Sequence, residues 1–272
     1  MLEAIGAMFS YDFLRRAMLG ILLMMPLFSL LGSMVVNNRM AFFSDALGHS
    51  ALTGVAIGMI FGLADPEPAM VVFAAVFALL MNVIRHSRLS STDTVIGVFS
   101  SCGVALGLVL LSRNSGFSSY QALLIGDILS ITERQLWLLG AALVVVIVLW
   151  VVCFNGFYAA ALSPSLARSK GLHVNALDNV FVVVLAMTVM LAIRSVGLLL
   201  INALLVLPAA AARNVARGLR SYLALSLIFS VFSGALGLVL SWLNAVATGP
   251  TIVLVSAAVY FGTFLIARRD RG

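Results

Sequence analysis

Charge is scarce in this chain. Only 10% of its 272 residues are Asp, Glu, Lys or Arg, while 62% are hydrophobic; a soluble domain carries about a quarter charged residues. That shortage excludes a soluble globular protein. Apolar runs recur along the whole length, which also excludes a signal peptide leading into a soluble domain, since that arrangement shows a single run. Lysine is nearly missing: Lys170 is the only one, and Gly171 follows it. A Gly-x-x-x-x-Gly-Lys-Ser/Thr loop is therefore absent, and the chain has no such loop with which to bind and hydrolyse ATP by itself. The two cysteines, Cys102 and Cys153, fall in apolar segments with no partner spacing, so they form neither a disulfide framework nor a thiolate metal site and serve packing. Acidic residues number ten against sixteen basic ones. The basic excess sits near the ends of apolar runs rather than on one face, which excludes a nucleic-acid surface and marks membrane topology.

What is present is a succession of apolar runs near 17–36, 43–63, 68–84, 93–113, 135–154, 177–193, 196–212, 221–241 and 249–267. Each is long enough to cross about 30 Å of hydrocarbon as a helix. The connections are short, so the chain reads as one all-α polytopic transmembrane bundle of about eight or nine spans, a single domain over 1–272. Arg213, Arg217 and Arg220, the tail arginines 268, 269 and 271, and Arg168 with Lys170 mark three mutually consistent cytoplasmic loops; Asp65 and Glu67 then fall outside. Arg85 and Arg88 are cytoplasmic by the same count, yet nine crossings leave Arg15 and Arg16 on the outer side. Either the segment 1–16 lies flat as an interfacial helix, or a run near 43–84 is broken or re-entrant.

Inside the second run, Asp45 and His49 stand four residues apart, which puts both side chains on one helix face, one turn apart. A carboxylate at the bilayer centre costs roughly 2.5–3.5 kcal/mol on insertion scales, so such a pair marks a pathway or site. Carboxylate oxygen with imidazole nitrogen suits Zn²⁺, Mn²⁺ or Fe²⁺, and no thiolate or Met-rich face nearby favours Cu(I). The bland alternative is a hydrogen-bonded pair that holds no ion. Gly54, Gly58 and Gly62, and Gly103 with Gly107, repeat at the spacing of close helix contact. Asn202 needs a partner within the bundle, Pro208 ends or kinks its helix, and Pro250 suits a first turn. In the polar connection 155–175, Ser163 and Pro164 make an N-cap and first helical position, with a short helix ending at Gly171. Asp127, near a span boundary, caps a helix start or lines a vestibule. Arg194 reads as interfacial, and His86 and His173 as loop residues.

Three blocks give the chain a specific resemblance: SDALGHSALTGVAIG from Ser44 to Gly58, LLIGDIL from Leu123 to Leu129, and the run from LARSKGL through VGLLLINALLVLPAAAAR to TGPTIVLV. In order and spacing they resemble the permease subunits of the ABC-3 family, the zinc, manganese and iron importers of bacteria. The resemblance implies a type II ABC importer-like fold in the bacterial inner membrane and a homodimer around a central path. It also implies two separate ATP-hydrolysing subunits, an extracytoplasmic metal-binding protein, and no permanently bound cofactor. Asp45 and His49 match the family's pathway-lining acid and histidine, two ligands per chain, or four if the dimer axis brings both pairs together. Ser163, Pro164, Ala167, Lys170 and Gly171 fall on the ATPase-coupling helix. Gly48 stands where Ser is common and Thr53 where Pro is common, and 155–158 is less acidic than usual; both ligands remain. Two other classes compete: an ion-coupled secondary metal carrier acting without an ATPase, and an intramembrane aspartyl protease using Asp45 and Asp127, for which only one Gly-Asp element exists.

Overall fold

The computed structural model describes residues 10–87, 91–112 and 126–269. Among the described residues each of the nine apolar runs has one long helix as its main part, the run 43–63 passing the end of its helix and the run 196–212 starting ahead of its own: α1 (Asp12–Asn37), α2 (Phe43–Ile60), α3 (Glu67–His86), α4 (Thr92–Ser112), α5 (Glu133–Leu162), α7 (Val174–Val196), α8 (Leu198–Val215), α9 (Leu219–Asn244) and α10 (Thr248–Arg269). A single-turn helix, α6 (Pro164–Ser169), interrupts the series, and a 3₁₀ turn spans Ile128–Ser130. Local chemistry sets the boundaries. Thr132 and Gln135 form a reciprocal capping box at the start of α5. Gly197, at φ +90°, separates α7 from α8, a conformation open to glycine because it has no Cβ. Pro208 lies inside α8, which continues to Val215.

Seven of the nine are long and apolar enough to cross a membrane; α2 and α8 are the other two. Both are mostly buried within the bundle. There Ser44 of α2 donates to Asn202 Oδ1 of α8 at 2.6 Å, giving that amide its partner in the bundle. On the periphery, α5 exposes Val144, Val148, Val151 and Val152, as a lipid-facing helix should.

Side-chain contacts sort the helix ends into two layers. One layer joins His86 to Asp178 across α3 and α7 at 3.2 Å, and Arg213 of α8 to the Val36 carbonyl of α1 at 3.1 Å. Arg168, Lys170, Arg217, Arg220, Arg268 and Arg269 belong to the same end by helix alternation, so it is cytoplasmic. The other layer joins Arg16 of α1 to Glu133 of α5 at 2.9 Å. Alternation of the nine long helices among the described residues therefore puts Arg15 and Arg16 outside, in the first turns of α1. Acids stand beside them: Asp12 lies 3.3 Å from Arg15, and Glu133 pairs with Arg16. Neither helix across 43–84 is broken or re-entrant. Of the segment 1–16, residues 1–9 lie outside the described residues, and from Asp12 the chain is already in α1.

Candidate functional site

Asp45 and His49 occupy the first two turns of α2 at its cytoplasmic end. Phe43, Ser44, Ala46, Leu47, Gly48 and Ser50 are buried around them, while the Asp45 and His49 side chains keep 44% and 27% of their surface open. The helix thus sinks every neighbour and leaves these two on a free face. His49 Nε2 stands 3.6 Å from Asp45 Oδ2, too far for a hydrogen bond. His49 Nδ1 is buried with no hydrogen-bond partner. Two ligands bonded to one ion at about 2.1 Å and a tetrahedral angle lie about 3.4 Å apart. The observed spacing is close to that. Among the described residues no group of three or more His, Cys, Asp or Glu side chains could hold a metal, so the chain offers a half-complete set.

Neighbouring helices hold α2 firmly. Thr53 donates its hydroxyl to the Gly103 carbonyl of α4 at 2.6 Å, a bond that a proline at this position could not make. A Cβ on Gly107 would sit 2.6 Å from Leu52 Cβ and 2.9 Å from the Thr53 nitrogen, so α4 approaches α2 at backbone distance. Gly48 faces Leu198 at the start of α8, where an added Cβ would meet Leu198 Cδ1 at 3.0 Å.

Asp127 caps the 3₁₀ turn, accepting from the Leu129 N–H at 2.9 Å. It lies at the outer end, beside the start of α5, and Asp45 lies at the opposite end, so the two carboxylates do not meet as a protease dyad requires. At the cytoplasmic end, Ser163 accepts from the Leu166 N–H, Pro164 opens α6, and Gly171 takes φ +78°. The Gly171 N–H bonds the Arg168 carbonyl at 2.9 Å and the Leu172 N–H bonds the Ala167 carbonyl at 3.1 Å, a Schellman closure. Ala167 is buried, and Leu166 and Lys170 are exposed.

Two polar clusters escape sequence reasoning. At the outer end Asp65 binds Arg134 of α5 at 2.8 Å and Arg194 of α7 at 3.4 Å, and Arg194 also lies 3.6 Å from the buried Glu67. The Glu67 N–H holds the Asp65 carboxyl below the usual carboxylate range; Arg134 and Arg194 assist, and partial burial opposes. Arg194 is thus a tied residue rather than a loose interfacial one. At the cytoplasmic end His86 is the last residue of α3, not part of a loop, and lies 2.8 Å from the Asn82 carbonyl through Nδ1 as well as beside Asp178. His173 forms the N-cap position of α7. Partners 69 to 129 residues away explain the omission, since no local spacing signals them.

Comparisons with known proteins agree on one neighbourhood. The model of the ABC 3 transport family matches residues 10–267. The membrane protein ZnuB of the high-affinity zinc uptake system of Haemophilus influenzae is 34% identical over 232 residues, covering 85% of this chain and 88% of ZnuB. The manganese import system permease ScaB of Streptococcus gordonii is 28% identical over 270 residues, covering 99% and 96%. Among solved structures, PsaBC from Streptococcus pneumoniae in complex with a Fab superposes with a TM-score of 0.86 at 28% identity, covering 99% of this chain and 97% of that one.

Proposed function

The chain belongs to the ABC 3 transport family, and from that premise we propose that it is the membrane permease of an ATP-binding cassette importer carrying Zn²⁺ or Mn²⁺, with Fe²⁺ as a further candidate, into the cytoplasm. As a permease it is a transport subunit and not itself an enzyme. ATP hydrolysis belongs to two copies of a separate subunit engaged through Ser163, Pro164, Ala167, Lys170 and Gly171, and an extracytoplasmic binding protein delivers the ion.

The observation that carries the reading is the Asp45–His49 pair on the one open face of α2. Two ligands per chain hold a divalent ion weakly. A second copy related by a two-fold axis through this face would bring four, enough to strip water from the ion and few enough to release it. Both ligands are borderline to hard, so the site selects by charge and donor type rather than by a fixed cage. Energy from ATP enters at the cytoplasmic end, where α6 follows α5 directly.

Uptake of radioactive Zn²⁺ and Mn²⁺ into cells carrying Asp45→Ala or His49→Ala, with subunit assembly verified by co-purification, tests this. Uptake should fall to background while assembly persists. Normal uptake by an assembled variant overturns the site assignment. Ion uptake by the permease alone in liposomes under a proton gradient overturns the need for an ATPase.

A further inference from the structure

At the cytoplasmic end α5 and α9 both pack on α1, and a cleft of about 410 Å³ opens between them. Its floor is a hydrogen-bonded triplet. Tyr158 of α5 shares a hydrogen bond with Ser33 Oγ of α1 at 3.1 Å, and Tyr222 of α9 donates to the Ser33 carbonyl at 3.1 Å. The floor's polar atoms are thereby satisfied, leaving aromatic surface to the cleft.

The rim has a different chemistry. Arg213 and Arg217 line it, and no carboxylate does. Arg213 spends one guanidinium nitrogen on the Val36 carbonyl and keeps its other donors. Arg217 forms no ion pair or hydrogen bond with any described residue. Leu162, the last residue of α5, completes the wall at 80% exposure. Val151 lies eleven residues earlier on the same helix face and is 76% exposed; the exposed Asn155 lies between them, and from Val151 through Val148 to Val144 the face is apolar and leads toward the bilayer interior.

Depth decides what fits. The thirty residues of α5 extend about 45 Å at 1.5 Å per residue, more than the roughly 30 Å of hydrocarbon. Its last turns therefore stand at headgroup level. Two arginines facing an anion, an aromatic floor and an apolar track leading into the membrane are the complement of one amphiphile.

We propose that this cleft holds the headgroup of an anionic phospholipid of the cytoplasmic leaflet, with its phosphate between Arg213 and Arg217 and an acyl chain along the Val151–Val144 face of α5. Basic pockets between helices on this side of a membrane recognise such headgroups by charge. Free phosphate would leave the apolar track unused, and a zwitterionic lipid would gain less from two unopposed arginines.

The test uses the purified permease–ATPase complex in neutral-detergent micelles, titrated with phosphatidylglycerol, phosphatidylethanolamine or inorganic phosphate and followed by thermal shift and native mass spectrometry. Phosphatidylglycerol should bind and stabilise, and the other two should not. Arg217→Gln should weaken its apparent affinity about fivefold, the effect of one arginine at an anionic surface, while Arg217→Lys retains it. Arg268→Gln, in the last turn of α10 at the same cytoplasmic end but outside the lining of the cleft, should leave it unchanged. Equal response to phosphatidylethanolamine or to inorganic phosphate overturns the proposal, as does equal weakening by Arg268→Gln. Loss of the ATPase subunit from Arg217→Gln with phosphatidylglycerol affinity intact also overturns it, and assigns the arginine to the partner subunit.

Discussion

The contact between α2 and α4 gives the sharpest stability prediction, because two glycines on α4 differ only in what they face. Gly107 lies against the backbone of Leu52 and Thr53, where an added Cβ would sit at 2.6–3.0 Å; Gly97 has nothing within 4 Å. Backbone cannot swing aside as a side chain does. For Gly107→Ala, α4 must withdraw by about 1 Å to restore ordinary van der Waals contact. The same withdrawal stretches the Thr53–Gly103 bond from 2.6 Å beyond hydrogen-bonding range. Overpacking costs about 1–3 kcal/mol and an intramembrane hydrogen bond about 0.6 kcal/mol, offset by about 1 kcal/mol of better helix propensity. The net is a loss of about 0.6–2.6 kcal/mol. Gly97→Ala keeps only the propensity gain and should be neutral or more stable. Thermal unfolding of the two variants in the same detergent, followed by tryptophan fluorescence, separates them. If Gly107→Ala melts with or above Gly97→Ala, the backbone approach inferred here is wrong. Gly107→Ala should also slow metal uptake, because α2 carries Asp45 and His49.

Asp65 gives a pH prediction. Its carboxyl is held below the usual range by the Glu67 N–H and two arginines, so the stabilisation is complete above the unfolded-state value near 4 and is lost as pH falls through the lower folded value. The side chain is 30% exposed, and solvent screening keeps the contribution to about 1 kcal/mol or less. Asp65→Asn should flatten the fall in melting temperature between pH 5 and pH 3; an unchanged slope refutes the assignment. At α6, Ser163→Ala removes the N-cap at a cost of about 1 kcal/mol, and Gly171→Ala forces a Cβ into φ +78° at roughly 1–2 kcal/mol. Both should raise proteolysis around Ser163–Gly171 and lower the amount of ATPase subunit recovered with the permease. Arg16→Gln should leave Glu133 unpaired at the outer surface and change stability by less than about 1 kcal/mol; a larger loss in a melting curve would assign the pair a structural role beyond neutralising Arg16.

The helices were legible because each crossing must satisfy its own backbone and therefore writes an uninterrupted apolar run. The α6 turn was legible for a different reason: Ser163, Pro164 and Gly171 act on their immediate neighbours. Asp45 and His49 were legible as a pair because helical spacing alone puts them together. The outer cluster was not, since Asp65 meets Arg134 across 69 positions and Arg194 across 129. Arg15 and Arg16 misled the topology count for the same reason, because the count registers basic residues and cannot see that Glu133 stands opposite. A partner for Asn202 was demanded by its place in an apolar run, yet nothing local pointed to Ser44.

The placement of polarity also explains which helices lie inside. A helix bearing Ser44, Asp45, His49, Ser50 and Thr53 is poorly soluble in hydrocarbon, where an ionised side chain costs several kcal/mol; enclosed by protein, those groups meet Asn202, the Leu47 carbonyl and the Gly103 carbonyl instead. The helix with which it shares a polar contact, α8, carries Asn202, Pro208 and Arg213 and is enclosed for the same reason. Seven apolar helices can face lipid because these two do not have to. At its cytoplasmic end the enclosure is open along the face of Asp45 and His49, the opening to which the proposed function assigns the ion.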